Sequence, residues 1–119
     1  DSEVTHVKLA ESAAEIEFAI RQFRWRCERS VAALYSGVPI PNEERLATRR
    51  DIVYSHRLIR SATERLCELA GATFVYDASP LQPIIRDIQT CLTHGVAVFD
   101  TAMVPYGRSM LGLEPSPPV

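Results

Sequence analysis

From Val4 to Ser36 the apolar residues Leu9, Ala13, Ile16, Ile20, Phe23, Cys27, Val31 and Leu34 recur three or four positions apart. That spacing keeps them on one face of a long helix. Gly37, with Pro39 and Pro41 beyond it, ends the segment. A second set, Phe18, Trp25 and Ala32, recurs every seven residues and falls roughly 140° to 160° around the helix from the first, at about 100° per residue. A lone surface helix has no need of two apolar stripes. The second stripe predicts either a helix in the middle of its own bundle or a contact with another subunit or domain.

Asn42 is placed to cap a second helix, with Glu43 and Glu44 in its first turn complementing the positive end of the dipole. The pattern runs to about Ala70, with Ile52, Ile59, Ala62, Leu66 and Leu69 as the inward seam, and Gly71 suits the position just past the end. The stretch 71–78, GATFVYDA, has β-like composition but no partner strand anywhere in the chain, and reads as an ordered loop. Ser79, Pro80 and Gln82 then form a serine-x-x-glutamine capping box with proline at the first helical position. Leu81, Ile84, Ile85, Ile88, Cys91 and Leu92 make the buried face of this third helix, and Gly95 marks a break. A last helix runs from about Val96 to Leu111, kinked at Pro105. Residues 1–113 form one domain and 114–119, EPSPPV, a disordered tail. Four helices on short connections predict an all-α fold, an antiparallel up-down-up-down four-helix bundle.

Composition narrows the function more than the fold. A net charge of −2 over 119 residues lacks the basic face of a nucleic-acid binder. Lys8 is the only lysine among 13 basic residues, and guanidinium groups suit fixed contacts at interfaces. The three cysteines, Cys27, Cys67 and Cys91, lie within helical patterns and read as buried, reduced thiols of a cytoplasmic protein. No apolar run is long enough to span a membrane, and no basic-then-apolar leader opens the chain. A start at Asp1, directly into helical periodicity, reads as a piece of a longer protein.

The usual motifs of catalysis are missing. His6, His56 and His94 have no metal-ligand spacing, and there is no Cys-x-x-Cys, Gly-x-Ser-x-Gly elbow, P-loop or dinucleotide fingerprint. His6 and His56 read as surface or packing residues, and His94, from the residues alone, as a structural histidine at a helix end. Arg86 and Asp87 are adjacent, so they point about 100° apart and need separate partners. In RQFRWRCER, Arg21 to Arg29, the arginines interleave with Phe23 and Trp25 in a way that suits base or flavin stacking. On a helix the same pattern reads first as a solvated or subunit-facing arginine row, with Glu17 and Arg21 as an i,i+4 ion pair.

A set of short strings in fixed order changes this picture. Gly71-Ala72-Thr73 follows the second helix, Ser79-Pro80-Leu81-Gln82 opens the third, Arg86-Asp87 lies within it, and His94-Gly95 closes it. Tyr106-Gly107-Arg108 then precedes Leu111-Gly112-Leu113. Over nearly its whole length the chain resembles the C-terminal domain of the acyl-CoA dehydrogenase superfamily, in the branch of two-component flavin-dependent monooxygenases. Dehydrogenases of that superfamily often carry a catalytic glutamate in a Glu-Gly-Thr turn after the Arg-Asp helix. Here the turn reads Thr93-His94-Gly95, and the monooxygenase branch places a histidine seven residues past the aspartate, as His94 follows Asp87.

The resemblance implies a reduced flavin, FMN or FAD, delivered by a separate flavin reductase and reacting with oxygen to a C4a-hydroperoxide that hydroxylates a small organic substrate. It implies His94 as general acid/base, and Gly71, Ala72, Thr73 and Gln82 as positions near the flavin phosphate or nucleotide of a neighbouring subunit. It further implies a homo-oligomer, dimer or tetramer, formed through helix faces, and N-terminal and middle domains without which these 119 residues are inert. Two departures stand out: Pro83 follows Gln82 where the family commonly has arginine, and Gln89 stands where a second histidine is often found. An acyl-CoA dehydrogenase domain and a non-catalytic oligomerisation or binding module are the alternative readings.

Overall fold

Ser2 sets the first helix. Its Oγ accepts the Thr5 amide at 3.2 Å, satisfying one of the donors a first turn leaves free. In this computed structural model, which describes residues 2–71, 80–97 and 99–115 and, at 94–97, the backbone alone, α1 runs Glu3–Ser36. It stops at Gly37, where φ is 72° and the amide donates to the Ala33 carbonyl at 3.1 Å. A residue with a Cβ is strained at that angle, so glycine is the natural stop.

The second helix, α2, spans Asn42–Ala70. Asn42 is its first helical residue and not its cap; the cap position is Pro41, and no side chain there accepts an amide. Glu43 and Glu44 do lie in the first turn, where the dipole favours them. At the other end Gly71, with φ 62° and ψ −141°, donates its amide to the carbonyls of Cys67 and Glu68. The third helix, α3, spans Leu81–Ala97, and α4 spans Phe99–Met110. The expected cap at Ser79 and the loop after Gly71 lie outside the described residues. Gly95 does not break α3, which continues two residues past it; a single helical glycine costs about 1 kcal/mol and does not by itself stop a helix. Pro105 sits inside α4 and is buried. Arg108 Nε reaches past the helix end to the Glu114 carbonyl at 2.7 Å, tying down the start of the tail.

The architecture is an all-α four-helix bundle with α2 at its centre. Among the described residues α1 packs on α2, while α3 and α4 pack on α2 and on each other, and α1 touches neither of them. The α1–α2 seam is made of small and polar residues: Ser12, Ala19 and Arg26, seven apart on α1, against Asp51, Ser55 and Ala62, four and seven apart on α2. Ser12 Oγ donates to the Ala62 carbonyl and Ser55 Oγ to the Ala19 carbonyl, each at 3.4 Å. Small side chains let the helices come close enough for such cross-helix bonds.

This seam overturns the expected core of α1. The Leu9 to Leu34 stripe is turned to the side of the contact, with Ile20 47% and Leu34 79% exposed. Cys27 and Cys91 are exposed and Cys67 half-buried; all three are free thiols. Of the six residues expected to form the α3 face, Ile85 and Leu92 are buried and Ile88 half-buried, whereas Leu81, Ile84 and Cys91 are exposed. On α4, Ala102 and Pro105 face inward. Arg57 of α2 lies over the Phe99 ring at 3.5 Å, and Arg50 over Tyr106 at 4.2 Å. Planar guanidiniums on aromatic faces thus join α2 to α4.

Candidate functional site

The strongest polar constellation centres on Asp51 of α2. One carboxylate oxygen accepts from Arg26 Nε at 2.6 Å and Gln22 Nε2 at 2.7 Å, both from α1, and the other from Arg50 Nε at 2.8 Å. Arg26 and Asp51 are each 8% exposed. Burial pushes the Asp51 carboxyl up, but the hydrogen bonds from Arg50, Gln22 and Arg26 together outweigh it and hold the group below the usual carboxylate range. Because Arg50 also stacks on Tyr106, the network joins α1, α2 and α4. A buried carboxylate bonded through both oxygens in this way fixes helix register.

A second network, nearer the other end of the same seam, centres on Arg65. Its Nε lies 3.0 Å from Glu11 and its Nη2 donates to Ser61 Oγ at 3.1 Å. Its Nη1 reaches Ser12 Oγ at 3.1 Å and is also bonded to Glu15. Sequence reasoning missed both networks. The available signal was the seven-residue spacing of Ser12, Ala19 and Arg26, a line of small and polar residues that competes with the apolar stripe.

The arginine row divides. Arg26 is buried on Asp51, Arg29 pairs with Glu44, and both guanidiniums flank the Trp25 ring, at 4.6 and 4.9 Å from its centre. Arg21 and Arg24 stay exposed, and the expected Glu17–Arg21 pair is not formed among the described residues. Phe18 and Trp25 also face outward, 70% and 44% exposed.

Several concave regions lie along α2 among the described residues. Between α2 and α3 a cleft of about 380 Å³ is lined by Arg60, Thr63, Glu64, Cys67, Gln89, Leu92 and Thr93. Burial and, after it, the nearby Glu64 carboxylate push the Cys67 thiol up, so it is a poor nucleophile there. Between α1 and α2 a crevice of about 440 Å³ is lined by Ile20, Phe23, Arg24, Cys27, His56 and Ile59, with Ala19 and Ser55 at its base. His56 Nδ1 is buried without a hydrogen-bond partner among the described residues.

The residues expected to form a flavin site are placed unevenly. Gly71 stands at the end of α2 with open space where a Cβ would project. Gln82 is half-buried in the first turn of α3, whereas Ala72 and Thr73 lie outside the described residues. His94 falls in the last turn of α3, directly after Thr93 of the α2–α3 cleft; its side chain lies outside the described residues. Arg86 and Asp87 are exposed and make no ion pair among the described residues. No group of three metal-ligating side chains occurs among the described residues, and no described helix is long and apolar enough to cross a membrane.

Comparison with known proteins gives this frame a lineage. Residues 1–99 match the family described as "Acyl-CoA dehydrogenase, C-terminal domain". The chain is 33% identical over 113 residues to the "Flavin-dependent monooxygenase, oxygenase subunit HsaA" of Rhodococcus jostii, covering 95% of the chain and 30% of that protein. Over 78 residues it is 36% identical to the "p-hydroxyphenylacetate 3-hydroxylase, oxygenase component" of Acinetobacter baumannii, covering 65% of the chain and 18% of that protein. The crystal structure of the HsaA monooxygenase from M. tuberculosis superposes with a TM-score of 0.86 at 32% identity, covering 98% of this chain and 30% of that one. The chain therefore spans less than a third of the length of the relatives it matches.

Proposed function

The chain belongs to the acyl-CoA dehydrogenase C-terminal domain family, and from that membership we propose that it is the C-terminal helical domain of the oxygenase component of a flavin-dependent monooxygenase. The observation that carries the reading is the match to HsaA over 95–98% of the chain, in sequence and in backbone alike. Bound flavin, FMN or FAD, reduced by a separate reductase, supplies the electrons that activate molecular oxygen. The substrate class is a small organic molecule, with a phenol such as p-hydroxyphenylacetate as the natural first probe, given the name of the Acinetobacter relative. The domain acts together with N-terminal and middle domains, in the cytoplasm and in a homo-oligomer built on its helix faces.

The residues present fit a flavin in kind. Gly71 leaves room for a close approach at the end of α2. Gln82 adds an amide side chain in the first turn of α3, where backbone N–H groups favour an anion such as the flavin phosphate. Ala72 and Thr73, between these two, complete the proposed contact. His94, at the far end of α3, takes or gives a proton at the substrate hydroxyl, a role open to an imidazole in either direction. The buried carboxylate of Asp51 keeps α2 in register against α1 and, through Arg50, against α4.

The test uses the full-length protein that carries this domain, supplied with reduced flavin and a panel of phenols. Phenol-dependent oxygen consumption with formation of a hydroxylated product supports the reading. Reduction of its oxidised flavin by an acyl-CoA thioester would instead assign it to the dehydrogenases, and failure to bind flavin at all would leave a helical oligomerisation module. In the same assay His94→Ala should lower product formation by about 10²-fold or more, the usual contribution of a general acid/base, with folding unchanged. An unaltered rate would remove its role.

A further inference from the structure

We propose that Arg57 of α2 is a positioning residue for the oxygenation reaction, holding the α3–α4 corner that carries His94 by stacking its guanidinium on Phe99. The proposal rests on the role given to His94 above. The corner is poorly held by its own helix. His94 lies in the last turn of α3, Gly95 follows it directly, and α4 begins at Phe99, five residues on. Glycine favours a helix less than any residue except proline, and the carbonyls of a last turn have no onward partners. The turn that bears His94 therefore depends on contacts from outside α3.

One stretch of α2 provides them. Before His94, Leu92 is buried at 8% exposure, and Thr93 shares the α2–α3 cleft with Arg60 and Glu64. After it, the Arg57 guanidinium carbon lies 3.5 Å from the centre of the Phe99 ring. Residues 57 and 60 are about one helical turn apart, so a single turn of α2 meets both sides of the corner. Farther along α4, Arg50 stacks on Tyr106 at 4.2 Å. The two stacks run in antiparallel register, Arg50 and Arg57 being seven apart on α2 and Phe99 and Tyr106 seven apart on α4. Arg50 is also bonded to Asp51, whereas Arg57 makes no ion pair among the described residues. A planar guanidinium covers an aromatic face in a fixed orientation, which an ammonium does not. The Arg57 stack thereby sets where α4 starts on α2 and, together with Leu92, the path of the backbone through His94. Displacing a proton-transferring group by about 1 Å is enough to slow a reaction about 10²-fold.

Steady-state hydroxylation by the full-length protein that carries this domain tests this, with reduced flavin and the phenol that it hydroxylates fastest. Far-UV circular dichroism confirms that each variant is helical; Arg57 is exposed, so its replacement opens no core. Arg57→Ala should lower kcat about tenfold or more and leave the KM for the phenol unchanged. Phe99→Leu should do the same, whereas Phe99→Tyr, which keeps the aromatic face, should keep the rate. The double variant Arg57→Ala, His94→Ala should be no slower than His94→Ala alone, because Arg57 acts through His94. Tyr106→Leu, which removes the other stack, should leave kcat unchanged. An unaltered kcat in Arg57→Ala, a loss confined to KM, a loss that multiplies with that of His94→Ala, or an equal loss in Tyr106→Leu would overturn the proposal while leaving the His94 role intact. Unaltered turnover in His94→Ala would remove the His94 role and this proposal with it, and failure to hydroxylate any phenol would sink the oxygenase reading itself.

Discussion

Replacing Asp51 with alanine removes the one carboxylate on which Arg26, Gln22 and Arg50 converge. Arg26, 8% exposed, is then left as a buried guanidinium without a counter-charge. Breaking a buried pair from one side costs about 3–5 kcal/mol, because the remaining ion keeps its desolvation penalty. That is a large share of the roughly 5–15 kcal/mol that holds a domain folded. With a urea m-value of about 2 kcal/mol/M, the midpoint should fall by about 2 M, read by circular dichroism at 222 nm. The double variant Arg26→Met, Asp51→Leu should recover most of the loss, since apolar residues of similar volume replace such pairs at little cost. A single-variant loss under about 1 kcal/mol, within the range of exposed pairs, would refute the view that this network is desolvated and holds the seam.

The same carboxylate gives a pH dependence. A folded-state pKa below the usual carboxylate range means stability that is fully present above an ordinary aspartate value near 3.9 and is lost as pH falls through the lower folded value. Acid unfolding should therefore steepen below about pH 4 in the wild type, and Asp51→Asn should flatten that part of the curve. Ala62, 0% exposed at the α1–α2 seam, has no room for more atoms, and Ala62→Leu should cost about 1–3 kcal/mol in the same urea titration. Gly71→Ala meets open space but a backbone angle of +62°, so about 1–3 kcal/mol of strain is expected with no clash. With iodoacetamide near pH 8, Cys91 should react well before Cys67, whose thiol burial and Glu64 push up; equal rates would contradict that placement.

Helix existence was legible because periodicity and punctuation agree. Gly37 and Gly71 end α1 and α2 where the pattern fades, both at positive φ. Which face of α1 turns inward was not legible. A period of 3.6 identifies an apolar stripe but not what covers it, and here α2 packs on the small and polar line Ser12, Ala19 and Arg26, where backbones approach and hydrogen bonds cross. Asn42 was misread as a cap because Pro41 takes that position. Gly95 was misread as a stop, although α3 tolerates it. The Asp51 network escaped notice because Arg26 and Asp51 are 25 residues apart and neither belongs to a motif. The candidate site was legible only through short strings that carry lineage, since Gly71, Gln82 and His94 form no catalytic motif by residue type or spacing.

The central claim, that this helical domain serves oxygen insertion, is tested most directly by isotope. The full-length protein, given reduced flavin, a phenol substrate and ¹⁸O₂, should yield product carrying one labelled oxygen atom per turnover. Product without label, or an enzyme that reacts only with an acyl-CoA thioester, would contradict it.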